Sequence, residues 1–229
     1  MDPNQPPQDA GQLLLVKKPL TWTSFDVVNK LRYRLKIKKI GHAGTLDPLA
    51  TGLLIICTGK MTKRIEEYMG LEKEYTGTFV LGQTTSSYDL ETEVSEAQDI
   101  SSVTEHSIRE AVKTLTGKIS QLPPAHSAIK VGGKRAYKFA RQGKEVELKP
   151  REVEVSEFEI TGVELPAVHF RVVCSKGTYI RSLARDLGEK LGVGAYLSQL
   201  CRTRIGNFKL EAAVSVDDVN PPHADLLQH

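Results

Sequence analysis

The stretch Gly41-His42-Ala43-Gly44-Thr45-Leu46-Asp47-Pro48-Leu49-Ala50-Thr51-Gly52-Leu53-Leu54-Ile55-Ile56-Cys57 joins a glycine-rich segment to an apolar one. Glycines at 41, 44 and 52, with Pro48, prescribe an unusual backbone path, because only glycine takes positive φ without penalty. The closing run, Leu53 to Cys57, is the longest strongly apolar run in the chain. It is far too short to span a membrane and reads as a buried strand. Residues 41–52 are therefore expected to be loop, closed by a strand at 53–57. In that loop stands one acid, Asp47, with Leu46 before it and Pro48-Leu49 after it. A carboxylate among apolar neighbours is costly to bury and tends to be paired, protonated or used. The plain alternative is a turn or helix cap, for which Asp-Pro in a glycine-rich loop is well suited. For His42 the plain alternative is a surface loop imidazole.

Outward from this stretch, Leu13 to Val16 reads as a short strand that Pro19 ends. Ser24 is an expected N-cap for a helix with Phe25, Val28, Leu31 and Leu35 on one stripe. From Glu74 to Leu81, Tyr75, Gly77, Phe79 and Leu81 alternate with polar or small residues, as in a half-buried strand. Residues 104–116 carry Ile108, Val112 and Leu115 at helical spacing, with Gly117 beyond. Gln121-Leu122-Pro123-Pro124 is a rigid turn. Val153–Val163 and Ala167–Cys174 alternate and read as antiparallel partners, and 178–191 as a helix stopped by Gly192. Helices and strands do not alternate as regular βαβ units. The expected class is α+β, with a mixed, largely antiparallel sheet flanked by helices. Residues 1–11 read as a disordered leader, 12–219 as one domain, and 220–229 as a frayed tail.

The 229 residues are 40% hydrophobic, enough for a real core at this length. Cys57, Cys174 and Cys201 are odd in number and lack a C-x-x-C spacing, which points to a reduced, cytoplasmic protein. The histidines form no ligand pair, so no metal is expected. Net charge is only +3, yet it is segregated. Residues 17–40 carry eight Lys or Arg against Asp26 alone, and 130–151 carry eight against Glu145 and Glu147. Between them, 86–110 hold seven acids against Arg109. Basic blocks flanking an acidic one suit a polyanion such as RNA or DNA, although each alone could be a solvated face.

The motif Gly41 to Leu54 resembles the central motif of the TruB family of tRNA pseudouridine synthases. Other segments agree in order. Lys18-Pro19 with Thr23-Ser24 resembles the family's opening motif, and Lys73-Glu74-Tyr75 its tyrosine motif. Ser127-Ala128-Ile129-Lys130 with Gly133-Lys134-Arg135-Ala136-Tyr137 resembles the next. Ser175 to Gly188, containing Gly177-Thr178-Tyr179-Ile180-Arg181, resembles the arginine motif, and Leu200-Cys201-Arg202-Thr203 the late leucine segment. The resemblance runs from about residue 13 to residue 213.

It implies a pseudouridine-synthase fold and isomerisation of uridine in the T loop of tRNA, at position 55. Asp47 would be the nucleophile, attacking C1′ of the ribose or C6 of the uracil. Arg181 would be the cation that keeps it ionised, and Tyr75 would stack on the flipped uracil and assist removal of the C5 proton. Tyr179 and Leu200 would line the uridine pocket, and His42 would take the flipped base's place in the RNA stack. Lys18, Lys130 and their basic neighbours would contact the RNA. Without the family, Tyr75, Tyr179 and Leu200 would pass as core, and Arg181 as a phosphate contact or surface charge. The reaction moves a glycosidic bond from N1 to C5 and needs no group donor or redox partner, so no cofactor is expected. Many relatives continue into a C-terminal RNA-binding module of the PUA type, for which this length is expected to leave no room. Neither a guide RNA nor a membrane partner is expected, and the chain should act as a monomer. The alternative is a non-catalytic RNA-binding or RNA-folding protein that retains the pocket.

Overall fold

The computed structural model describes residues 11–127, 130–131, 134–136, 139 and 148–219. Residues 1–10 of the expected leader, all of the expected tail at 220–229, and much of the basic block at 130–151 lie outside the described residues. The chain divides into two compact units, Met1–Tyr75 with Cys201–His229, and Thr76–Leu200.

In the first unit the apolar run explains itself. Strand β1 (Leu13–Lys18) pairs antiparallel with β3 (Ala50–Thr58), and β3 pairs on with β2 (Ile40–Ala43). Leu54 and Ile56 face a core made with Val16, Val27, Val28, Leu31 and Leu35. Leu53, Ile55 and Cys57 face another, made with Ala43, Tyr68 and Ile205. A strand buried on both faces has no reason to alternate, which is why 53–57 is apolar throughout. Each fully buried Leu or Ile there contributes roughly 1.5–3 kcal/mol. The expected loop is shorter than its glycines suggested. Ile40–Ala43 and Ala50–Gly52 are strand, and only residues 44–49 turn between them. Gly52 stands where it does because a Cβ there would lie 2.3 Å from the Arg202 carbonyl oxygen.

Helix α1 (Ser24–Leu35) is capped by Thr23, whose side chain accepts from the Asp26 N–H while Asp26 accepts from the Thr23 N–H. Such a box is worth about 1 kcal/mol. Ser24, expected as the cap, is instead the first helical residue and is buried. The buried stripe is Ser24, Val27, Val28, Leu31 and Leu35. Phe25, expected on that stripe, is 59% exposed, because it sits a full residue step of ~100° away from it. A short 3-10 turn (Gly59–Arg64) and α2 (Ile65–Gly70) follow β3. At the chain's end, β11 (Phe208–Lys209) pairs with β10 (Ala195–Ile205), and β12 (Val214–Ser215) pairs parallel with β1.

In the second unit the sheet order is β10, β4 (Lys73–Leu81), β9 (Ala167–Cys174), β8 (Arg151–Glu164), β5 (Gly117–Gln121). Strands β4 and β10 each carry residues of both units. The antiparallel β8–β9 pair is the one read from the alternation. Phe79 and Phe170 stack at 4.0 Å between ring centres, with Phe158 edge-on to both. Helix α3 (Glu105–Lys113) and helix α4 (Ile180–Leu191) contribute apolar faces, α4 ending on Gly192 at φ 72°. A separate hairpin pairs β6 (Lys130–Val131) with β7 (Lys134–Arg135). Strand β10 had no signal in the sequence reading. It bears Cys, Arg and Thr among its apolar residues, so neither alternation nor an unbroken run marks it. Among the described residues no helix is long and apolar enough to cross a membrane.

Candidate active site

Asp47 is half-buried in the turn between β2 and β3, where its carbonyl accepts from the Ala50 N–H at 3.0 Å. A six-residue turn of irregular backbone has carbonyls that no sheet partner satisfies. Here side chains from distant sequence satisfy them. Ser24 Oγ accepts from the Leu46 N–H at 2.9 Å and donates to the Leu46 carbonyl at 3.2 Å. The Lys18 ammonium donates to the carbonyls of Pro19, Trp22 and Pro48, at 2.8, 2.6 and 3.2 Å. The Pro48 carbonyl also accepts from the Thr21 N–H at 2.9 Å. Arg202 in β10 donates from Nε to the Leu53 carbonyl at 2.8 Å and from Nη2 to the Gly44 carbonyl at 3.1 Å. Both ends of the turn and its middle are thus held by buried groups.

Lys18 and Arg202 are each 1% exposed. Burial pushes the Lys18 ammonium down to about 8; the Asp47 carboxylate opposes that shift, and the Arg202 guanidinium adds to it. The residue expected to contact RNA is therefore enclosed, its ammonium committed to three carbonyls. His42 lies half-buried on β2 opposite Ile56. Burial, and then the nearby Arg202 cation, hold its ring below the ordinary imidazole range, partly offset by the Gly44 backbone. The ring is accordingly neutral at pH 7. Tyr75 is buried on β4, one residue from Glu74, whose carboxylate accepts from Thr203 Oγ1 at 2.7 Å.

In the second unit, Tyr179 is the N-cap of α4 and Arg181 the second helical residue. Gln121, 1% exposed, grips the Tyr179 backbone from both sides, donating to its carbonyl at 3.1 Å and accepting from its N–H at 2.8 Å. Ser182 Oγ donates to the Leu122 carbonyl at 2.8 Å. Arg181 is 3% exposed, which rules out a surface helix charge. It donates to the carbonyls of Ser87 at 3.2 Å and His126 at 2.9 Å, and Asp89 Oδ2 lies 3.5 Å from its Nε. Asp89 is itself buried, its carbonyl accepting from Thr85 Oγ1 and Ser87 Oγ and its Oδ1 from the Glu91 N–H. Leu200 is half-buried on β10, and Lys130 lies in β6, where only the backbone is described.

Sequence reasoning missed Ser24 as a loop clamp, Arg202, Gln121 and Asp89. Asp89 was read only as one of seven acids in a block. Its one available signal was the company of Thr85, Ser87 and Thr92, hydroxyls at turn spacing that can bond local backbone; Thr85 and Ser87 hold the Asp89 carbonyl and Thr92 bonds Ser87.

Lys18, Ser24, Gly44, Leu46, Tyr179, Arg181 and Arg202 of this framework fall in the motifs that carry the family resemblance, whereas Ser87, Asp89 and Gln121 lie outside them. Residues 32–180 match the model of the TruB family pseudouridylate synthase N-terminal domain, and residues 181–225 match the tRNA pseudouridylate synthase B C-terminal domain. The chain belongs to the TruB family of pseudouridylate synthases and is an isomerase. It is 53% identical over 217 residues to tRNA pseudouridine synthase B of Parabacteroides distasonis, covering 92% of each chain. It is 54% identical over 213 residues to that of Flavobacterium johnsoniae, covering 90% of this chain and 93% of the relative. Among solved structures, a chain of a Cbf5-Nop10-Gar1 complex superposes with a TM-score of 0.71 at 32% identity. An H/ACA ribonucleoprotein bound to a substrate RNA containing 2′-deoxyuridine gives 0.69 at 29%. Each alignment covers 92% of this chain, which spans only about half the length of those solved chains, 53% and 52%.

Proposed function

We propose that this enzyme converts uridine to pseudouridine in the T loop of tRNA, at position 55, in the cytoplasm, with Asp47 as the nucleophile. The observation that carries the reading is the turn at 44–49. Its carbonyls are bonded by Lys18, Ser24 and Arg202, which holds one carboxylate at a defined place on an irregular backbone. Preorganised nucleophiles are built in this way, because a loose one forfeits the advantage of orientation. The reaction balances without a cofactor: the N1–C1′ bond breaks and a C5–C1′ bond forms. C5 loses its proton and N1 of the base gains one. Asp47 would attack either C1′, to be displaced when C5 rejoins C1′, or C6, to be eliminated after that bond has formed. Arg181 would act as a buried cation, Tyr75 would stack on the extruded uracil, and Tyr179 and Leu200 would line its pocket. A neutral His42 ring suits a place in the RNA stack once the base has left it.

The test is incubation of the purified chain with one unmodified tRNA transcript and mapping of pseudouridine. The expected product is a single modified T-loop uridine. Asp47→Asn should abolish its formation while tRNA binding stays within a few-fold of wild type. Turnover near wild type in that variant would remove Asp47 from the nucleophile's place.

A further inference from the structure

Helix α1 has a face that its packing does not use. Phe25 is 59% and Tyr33 87% exposed. At 100° per residue they share an arc of about 100° with Asn29 and Arg32, and Lys36, the left-handed C-cap, is exposed just past the helix's last turn. Arg32 Nη1 donates to Asn29 Oδ1 at 2.5 Å, so part of the arc is ordered by its own contacts. The rest of the helix is engaged. Lys30 pairs with Asp217 at 3.4 Å, and Arg34 Nε donates to the Val219 carbonyl at 2.6 Å. The remaining acid of the helix, Asp26, is committed to the cap. Lys38 and Lys39, which follow the helix in sequence, are also exposed.

We infer that this outer face of α1, with Phe25, Arg32, Tyr33 and Lys36, docks the RNA that carries the target uridine. Its aromatics stack on unpaired bases and its cations meet phosphates. The inference rests on the reading that RNA is the substrate, and extends it to a surface outside the family's motifs. Three features favour this occupant. Single exposed apolar residues are ordinary, but two aromatic rings on one arc among cations, with no free acid, form a stacking platform for single-stranded nucleic acid. Beside those rings Arg32 and the exposed Lys36, Lys38 and Lys39 supply cations that complement a phosphate backbone. The face is also mechanically tied to the chemistry. Ser24, the first residue of α1, is bonded to both the N–H and the carbonyl of Leu46, beside Asp47. RNA resting on α1 is thereby kept in register with the nucleophile's turn.

The experiment measures equilibrium binding of an unmodified tRNA transcript as a function of salt. Phe25→Ala and Tyr33→Ala should each weaken binding about ten-fold with the salt slope unchanged, while Tyr33→Phe stays within two-fold of wild type. Lys36→Gln should weaken binding and make the slope shallower by about one unit. A Phe25→Ala/Tyr33→Ala double variant that binds within two-fold of wild type would overturn the inference. So would a double variant whose binding is intact but whose self-association, read by light scattering, is lost, because the face would then belong to a second copy of the chain. Wild-type enzyme that binds the transcript but forms no pseudouridine would sink the catalytic reading alone, and the binding series would still decide the docking surface.

Discussion

Residues 44–53 and residues 179–182 each set a charged side chain in place, and their backbones raise opposite demands. The turn that carries Asp47 is irregular, so its carbonyls are short of donors. Two buried cations and a hydroxyl supply them. The α4 start that carries Arg181 is regular, and there the buried guanidinium is short of acceptors. Loop carbonyls at Ser87 and His126 and the Asp89 carboxylate supply those. In one region cations serve the backbone. In the other the backbone serves a cation. The cost of error therefore differs: loosening the first should misplace a group, while emptying the second strands a buried charge.

The largest expected effect lies at Arg181. Arg181→Met should lower turnover on the order of 10²–10³-fold with little change in tRNA affinity. It should also destabilise the fold by about 3–5 kcal/mol, because Asp89 would stay buried without its cation. Adding Asp89→Leu should return part of that stability and none of the turnover, as read by urea unfolding beside a single-turnover assay. A defect confined to RNA affinity would make Arg181 a phosphate contact and dissolve the contrast. At Arg202 the expectation is milder. Arg202→Met should lower kcat about 10- to 100-fold through misplacement of Asp47, with KM nearly unchanged. Arg202→Lys, which keeps the charge but not the fork, should fall between. A change in KM alone would show that the clamp does not set the turn.

Lys18 gives the smallest effect and a pH signature. Its ammonium titrates near pH 8 in the folded chain against 10.5 in the unfolded one. Between these values the unfolded state binds more protons, so stability should rise with pH, by at most about 1.4 kcal/mol per unit. Below pH 8 both states hold the proton and the slope vanishes. Urea midpoints between pH 7 and 10 should show this rise in wild type and not in Lys18→Met. Parallel curves would mean that Lys18 is not enclosed in solution.

Much of the fold could be read from the chain because it depends on local pattern. Val153–Val163 and Ala167–Cys174 announce antiparallel partners through alternation, and the pair forms, with register shifts at Val155/Glu157 and Ile160/Gly162 that no alternation shows. Strand β10 could not be read, because its polar residues face chosen partners. Arg202 reaches Leu53 and Gly44, 149 and 158 residues away in sequence. The candidate site was visible as motifs, and its supports were not. Ser24 looked like a helix cap and serves the Leu46 backbone, while Asp89 looked like surface acid and is buried. Phe25 looked like core and lies on the open face.

By itself the sequence determined the strands buried on both faces, the helix stripes, and which residues could bear the chemistry. These follow from side-chain periodicity and from the residue types a reaction requires. Only the tertiary structure decided which polar groups complete one another. The carbonyls of a turn and the guanidinium of a buried arginine must be satisfied by whatever the folded chain brings within hydrogen-bonding distance, and no rule of spacing encodes a partner 150 residues away.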